Sequence, residues 1–342
     1  MRVFFLIIGI FFWLIILGFF YIFFNDYVSI SIILFLGWII TRFFEKNKFK
    51  TLFNSLFLTS VFYILFAIFS NGGYIIDPAI HKKPGAVIIS KPREINMETS
   101  KKDYVVSKNI KWYDFFTNFY EINYNTRYLS FLETKQNHKT IEYDYRYNTQ
   151  NPIEYYNKLY VNLVAFDKQK IDSITRLFAK ESKDKKLNPL QTAEMVTTFI
   201  QEIPYALVHQ NTCKQILEYE SPDSYIVKYH EEKKPCLANI PGGVQSPYEF
   251  LHNLKGDCDT RSLLGFAILI QLNISTSIWV SKAYRHCVLG VGLPVGNGVY
   301  KSVNGLNHYA VELTNKGFKL GMISPQQRDI SNWDIALYSN NF

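Results

Sequence analysis

Cysteine is scarce in this 342-residue chain, which holds four cysteines and four methionines. Four thiols are too few for a scaffold built from disulfides. No Cys-x-x-Cys or His-x3-His spacing occurs, so the usual local signature of a metal site is missing. There is also no Lys/Arg run of the kind that tracks a nucleic-acid backbone. The net charge of +8 is a mild surplus, and "KESKDKK" at 180–186 reads as a solvated helix face or loop. No internal repeat is found, and neither a cofactor nor a nucleic-acid partner is expected.

Charge is absent from the segment 3–24, which as a helix would be about 33 Å long, enough for a bilayer core of about 30 Å. Phe23-Phe24 ahead of Asn25-Asp26 makes a poor cleavage site, so the segment reads as a retained helix rather than a signal peptide. Two more apolar stretches follow, at 27–44 and at 51–76, the latter spanning over 51–70. Arg2, Arg42, Lys46, Lys48 and Lys50 put the N-terminus and the second loop on the cytoplasmic side. The expectation is three transmembrane helices over 1–70 and a multi-pass protein of the inner membrane. A linker at 71–105, with one short strand at 86–90, leads to an extracytoplasmic domain at 106–342. Three helices, where one would anchor an enzyme, suggest packing against another membrane protein.

The remainder has the composition of an ordinary globular domain. Residues 106–165 mix aromatic clusters with alternating stretches and resolve into neither helix nor strand. Between 168 and 203, Ile171, Ile174, Leu177 and Phe178 form one helical stripe, and Ala193, Val196, Phe199 and Ile200 form a second. Pro189 starts the second helix and Pro204 ends it. The excursion at 206–247 carries Cys213 and Cys236, which are read as a disulfide in an oxidising compartment or else as two free thiols. Closing that loop would stabilise the fold by roughly 3 kcal/mol. Gly256 permits a turn, and a helix follows from Cys258 to about 272, apolar on most faces. Strands are expected at 275–280, 287–293, 309–314 and 318–323. Helices followed by an antiparallel sheet give an α+β fold.

The chemistry concentrates in "GDCDTRSLL". Cys258 sits at a helix N-terminus, whose dipole favours a thiolate, yet Asp257 and Asp259 oppose it. Activation then requires a base oriented by a carboxylate. His286, in "YRHCVLGV", and Glu312, in "YAVELTNKGFKLG", lie on neighbouring expected strands where the two side chains could meet. His308 is the alternative base, with Asp329 as the nearest acid downstream. Asp259 and Arg261 read as structural, with Arg261 pairing with Asp257 or Asp259. A metal set of Cys258, His286, Cys287 and His252 lacks supporting spacing.

These three stretches, with "FIQEIPY" upstream, resemble the transglutaminase-like superfamily over about 195–325, and the core is expected over 195–335. The resemblance implies a papain-like fold and a Cys258–His286–Glu312 triad that transfers acyl groups of a protein or peptide substrate, by hydrolysis or cross-linking. In that picture the Cys258 N–H helps to form an oxyanion hole, and Gln201 is a second candidate donor. Many members carry Asp where this chain has Glu312. A catalytically silent version, acting as a peptide- or partner-binding module, is the other outcome.

Overall fold

The computed structural model describes residues 85–96, 102–148, 151–214 and 224–339. All of them belong to one unit spanning Tyr74–Phe342. Seven helices and eleven strands occur among the described residues, in an α+β arrangement.

No helix among the described residues is long and apolar enough to cross a membrane. The longest, α1 (Tyr128–Asn148), has 21 residues but is largely polar. The most apolar, Cys258–Gln271, has 14 residues and so reaches only about 21 Å. The expectation of three N-terminal transmembrane helices, and with it the multi-pass inner-membrane and extracytoplasmic assignment, is corrected accordingly. The described architecture is α+β, and the segments at 3–24, 27–44 and 51–70 lie outside the described residues.

The first sheet is built from β1 (Ala86–Ile89), β2 (Arg93–Asn96), β3 (Lys102–Tyr113) and β4 (Phe119–Arg127). Here β1 and β2 both pair antiparallel with β3, as does β4 along its whole length. Strand β1 falls on the short strand expected at 86–90, while β2 and the start of β3 form strands where only linker was expected. Strand β4 alternates strictly between exposed and buried residues, as a half-buried sheet requires. Its inner residues Tyr120, Ile122 and Tyr124 join the main core, and Trp112 of β3 donates its indole N–H to the Met195 carbonyl at 3.2 Å.

Helices α2 (Pro152–Asp167), α3 (Asp172–Asp184) and α4 (Pro189–Glu202) follow α1. Asn188 and Gln191 form a capping box ahead of α4, with Pro189 in its first turn. A loop with the two-residue strands β5 (Leu207–Val208) and β6 (Cys236–Leu237) and helix α5 (Ser224–Glu231) leads to α6 (Pro247–Asn253). A second capping box, Ser246 with Glu249, starts α6.

Helix α7 (Cys258–Gln271) runs through the middle of the core. Leu263, Leu264, Phe266, Ala267, Ile268 and Leu269 are fully buried, each large side chain contributing roughly 1.5–3 kcal/mol. Gly265 lets the helix lie close to the sheet, since a Cβ there would meet Leu289 at 3.0 Å. That second sheet has the order β11-β7-β8-β10-β9, where β7 is Thr276–Ser281, β8 His286–Val291, β9 Tyr300–Val303, β10 Leu306–Val311 and β11 Asp334–Tyr338. Every pairing in it is antiparallel. The expected strand at 318–323 is absent. Gly317 and Gly321 take positive φ there (90° and 83°), and the chain bends across the sheet, bonded to Val299 and Ala310.

Candidate active site

The head of α7 is set by a turn that only certain residues permit. Leu254 ends α6 in the left-handed region at φ 50°. Gly256 does not need a positive φ; it is needed for space, because a Cβ would meet the Thr260 methyl at 2.6 Å and the Phe250 ring at 3.1 Å. Asp257 then occupies the N-cap but makes no capping hydrogen bond with its side chain. Its carboxyl turns instead to the Val208 N–H at 3.2 Å. The Cys258 N–H has no hydrogen-bond partner among the described residues, one of the unpaired donors that every helix start exposes.

His286 and Glu312 meet. The His286 Nε2 lies 2.7 Å from the Glu312 Oε2, across neighbouring strands. The other carboxylate oxygen accepts from the Thr314 N–H at 2.7 Å and the Thr314 hydroxyl at 2.6 Å. Burial pushes the Glu312 carboxyl up, but the hydrogen bond and charge of His286, together with Thr314, outweigh it and hold the group below its ordinary range. With Nε2 committed, the Nδ1 of His286 is the nitrogen left to receive a proton. The ring edge packs on Trp333 at a centroid distance of 6.1 Å.

Cys258, at the head of α7, is linked to the start of β8 through Cys287. Its sulfur is approached by the backbone N–H of Cys287, the residue after His286. No hydrogen bond joins thiol to imidazole among the described residues. Burial pushes the thiol well up, Asp259, Asp257 and Cys287 push it further, and the Cys287 N–H acts the other way. The resting group is therefore a neutral thiol. Burial also raises both Asp257 and Asp259, whose carboxyls adjoin, and the charge of Asp259 raises Asp257 further.

Arg261 does not pair with either acid through a salt bridge. It is fully buried and donates to the carbonyls of Gly256 (2.9 Å), Ile200 (2.9 Å), Leu313 (3.0 Å) and Ile203 (2.5 Å). This one side chain ties the head of α7 to the end of α4 and to the residue after Glu312. Burial pulls it down to about 10. Gln201 acts similarly: its amide donates to the carbonyls of Glu312 at 2.7 Å and Phe318 at 2.9 Å. Its N–H groups are committed to bracing the acid strand, so the oxyanion role expected for Gln201 is replaced by a positioning one.

The alternative base, His308, is buried between Ser277 at 2.9 Å and Ser275 at 3.3 Å, and burial holds it down to about 4. Asp329 caps a short 3-10 turn through Ser331. Neither belongs to the constellation. His252 stacks on Phe131 and bonds Thr126, away from Cys258. Cys213 and Cys236 form a disulfide.

Three tyrosines lie within electrostatic reach of the thiol. Tyr156 is pushed up to about 12 by burial and then by Asp259, Cys287 and Cys258. Tyr160 and Tyr205 are raised by burial too and feel the same thiol. All three stay neutral donors. Sequence reasoning missed them because the chain has 24 tyrosines with nothing local to mark these. Comparison of the chain with known protein families, curated proteins and solved structures finds no match in any of the three.

Proposed function

We propose that this chain is a transglutaminase-like cysteine enzyme that transfers acyl groups of proteins or peptides through Cys258, His286 and Glu312. The observation that carries the reading is the 2.7 Å His286–Glu312 pair at the head of β8, next to the residue whose N–H approaches the Cys258 sulfur. Glu312 fixes the imidazole through Nε2, so Nδ1 takes the thiol proton. The sulfur attacks the amide carbonyl carbon, and the proton passes to the departing ammonia or amine. Water or a second amine then resolves the thioester. The unpaired Cys258 N–H is the oxyanion donor this chain supplies.

A raised thiol needs its base at the moment of attack, which dictates the test. Iodoacetamide labelling of Cys258 is expected to slow at least tenfold in His286→Ala. Equal labelling of the two proteins would sink the reading.

The second reading is a silent module that binds peptides or partners. It is favoured by the same two acids, which oppose a thiolate. That reading predicts a Cys258 no more reactive than a denatured-state thiol.

A further inference from the structure

A second cluster of nucleophilic side chains lies apart from the triad, in the loop between α4 and α6. Strands β5 and β6 pair in parallel, Leu207 with Cys236 and Val208 with Leu237. The His209 N–H continues the ladder to the Leu237 carbonyl at 2.8 Å. This sets the His209 ring beside Cys236. Helix α5 delivers His230 from the other side, and the two imidazoles stack with centroids 6.2 Å apart. Donor atoms of His209, His230 and Cys236 all lie within 4.8 Å of one another. Cys213 completes the group through its bond to Cys236. The Nε2 atoms of both histidines are buried and have no hydrogen-bond partner among the described residues.

Two unpartnered imidazole nitrogens buried side by side are costly unless something satisfies them. A disulfide sulfur is a weak acceptor and does little for them. Two thiolates and two neutral imidazoles, by contrast, are the N2S2 donor set of tetrahedral zinc. The ligand pairs are close in sequence, His209 with Cys213 and His230 with Cys236, as in sites assembled from two short segments. Zinc–nitrogen and zinc–sulfur bonds of about 2.0–2.3 Å place donors roughly 3.5 Å apart. The His209, His230 and Cys236 donors need only a small contraction, while the two sulfurs part to roughly that separation once their bond is reduced.

We infer that His209, Cys213, His230 and Cys236 form a redox-gated zinc site, closed as a disulfide and opened for metal by reduction. A dithiol reductant gives two electrons and two protons to the Cys213–Cys236 bond and leaves as its own cyclic disulfide. The two resulting thiols lose their protons to solvent as Zn2+ binds, and the His209 and His230 Nε2 atoms take the remaining coordination positions. All four residues are part-exposed, so reductant and metal can reach them. The site is separate from Cys258, although Val208 touches both regions through its N–H to Asp257.

The test uses the full-length chain carrying Cys258→Ala and Cys287→Ala, so that only these two cysteines remain. After reduction by a dithiol it is expected to bind one Zn2+ per chain. Co2+ in its place should give the visible d–d bands of a tetrahedral site together with thiolate charge-transfer absorption. The oxidised chain should bind Zn2+ at least 100-fold more weakly. His209→Ala and His230→Ala should each weaken binding of the reduced chain tenfold or more and shift the Co2+ spectrum. Disulfide formation on reoxidation, with an unchanged far-UV circular dichroism spectrum, checks that these variants fold. A reduced, folded chain that takes no Zn2+ overturns the inference. So does zinc held equally well by the double histidine variant.

Discussion

The two sheets of this protein differ in what covers them. In the first, β4 buries every second residue and shows the others to water. In the second, β8 is buried at every position from Cys287 to Val291. One side of β8 meets α7 and the main core. The other is sealed by a smaller cluster of Trp279, Val288, Ala310, Ile323 and Trp333. The candidate chemistry lies on the doubly covered sheet. A hydrogen-bonded imidazole and carboxylate there are held by their surroundings, and water does not compete for the bond. On the first sheet, the polar residues mostly lie on the wet face, where such a pair would be worth little.

Breaking the second sheet's pair should have the largest effect. On the proposed acyl-transfer function, Glu312→Gln is expected to lower turnover by about 10^3- to 10^4-fold, since the imidazole loses the group that fixes its tautomer. Steady-state kinetics on a peptide amide would show whether kcat carries the loss. The same variant has a pH signature. Glu312 is held below its ordinary value of 4.5, so its stabilisation is present above that pH and is lost as pH falls through its folded value. Acid unfolding of Glu312→Gln should therefore be shallower below about pH 4.5 than that of the unaltered chain.

Removing Arg261 should cost about 3–5 kcal/mol, since Arg261→Met takes the donor from the buried carbonyls of Leu313 and Ile203 and leaves those of Gly256 and Ile200 with only the Ala206 and Ile203 N–H groups. Urea unfolding would measure it, and a loss under 1 kcal/mol would show that those carbonyls find other partners. Gly256→Ala should cost about 1–3 kcal/mol, as its methyl group meets the Thr260 and Phe250 side chains.

The first sheet offers the contrast. Lys108 is one of its buried polar exceptions, with Asp103 and Thr126; it is bonded to the Thr126 hydroxyl at 2.6 Å and pushed down to about 8 by burial. Its folded value lies below its ordinary 10.5, so the unfolded chain binds more protons between the two and stability should rise across that window. Melting temperatures of Lys108→Met over the same range should lack the rise. On the wet face, Glu121→Ala removes contacts to Asn109 and Lys111 and should shift stability by no more than about 0.5 kcal/mol. A larger loss there would erase the distinction between the sheets.

Much of the site was legible because its signals are local. "GDCD" ahead of an apolar run placed Cys258 at a helix start, and His286 was expected at the head of a strand, whereas Glu312, expected on the next one, falls just past the end of β10 at Val311. The edge strands β9 and β11 were not legible: β9 is short, and β11 lies among turns near the C-terminus. The 318–323 stretch alternates like a strand, yet two left-handed glycines bend it. The strictly alternating β4 was obscured by aromatics on both of its faces, Phe119 outside and Tyr120 and Tyr124 inside.

The sequence by itself determined where elements start and which side they bury. Asn188-Pro189 and Ser246-Pro247 open helices through bonds to residues three positions on. Spacing of that kind is set within one turn of chain. Only the tertiary structure decided partners. His286 reaches Glu312 across a separation of 26 residues, and Arg261 reaches Ile200 across 61. His209 meets His230 and Cys236 because two short strands pair. Those contacts follow from strand register and helix packing, which balance many weak burial terms over the whole unit.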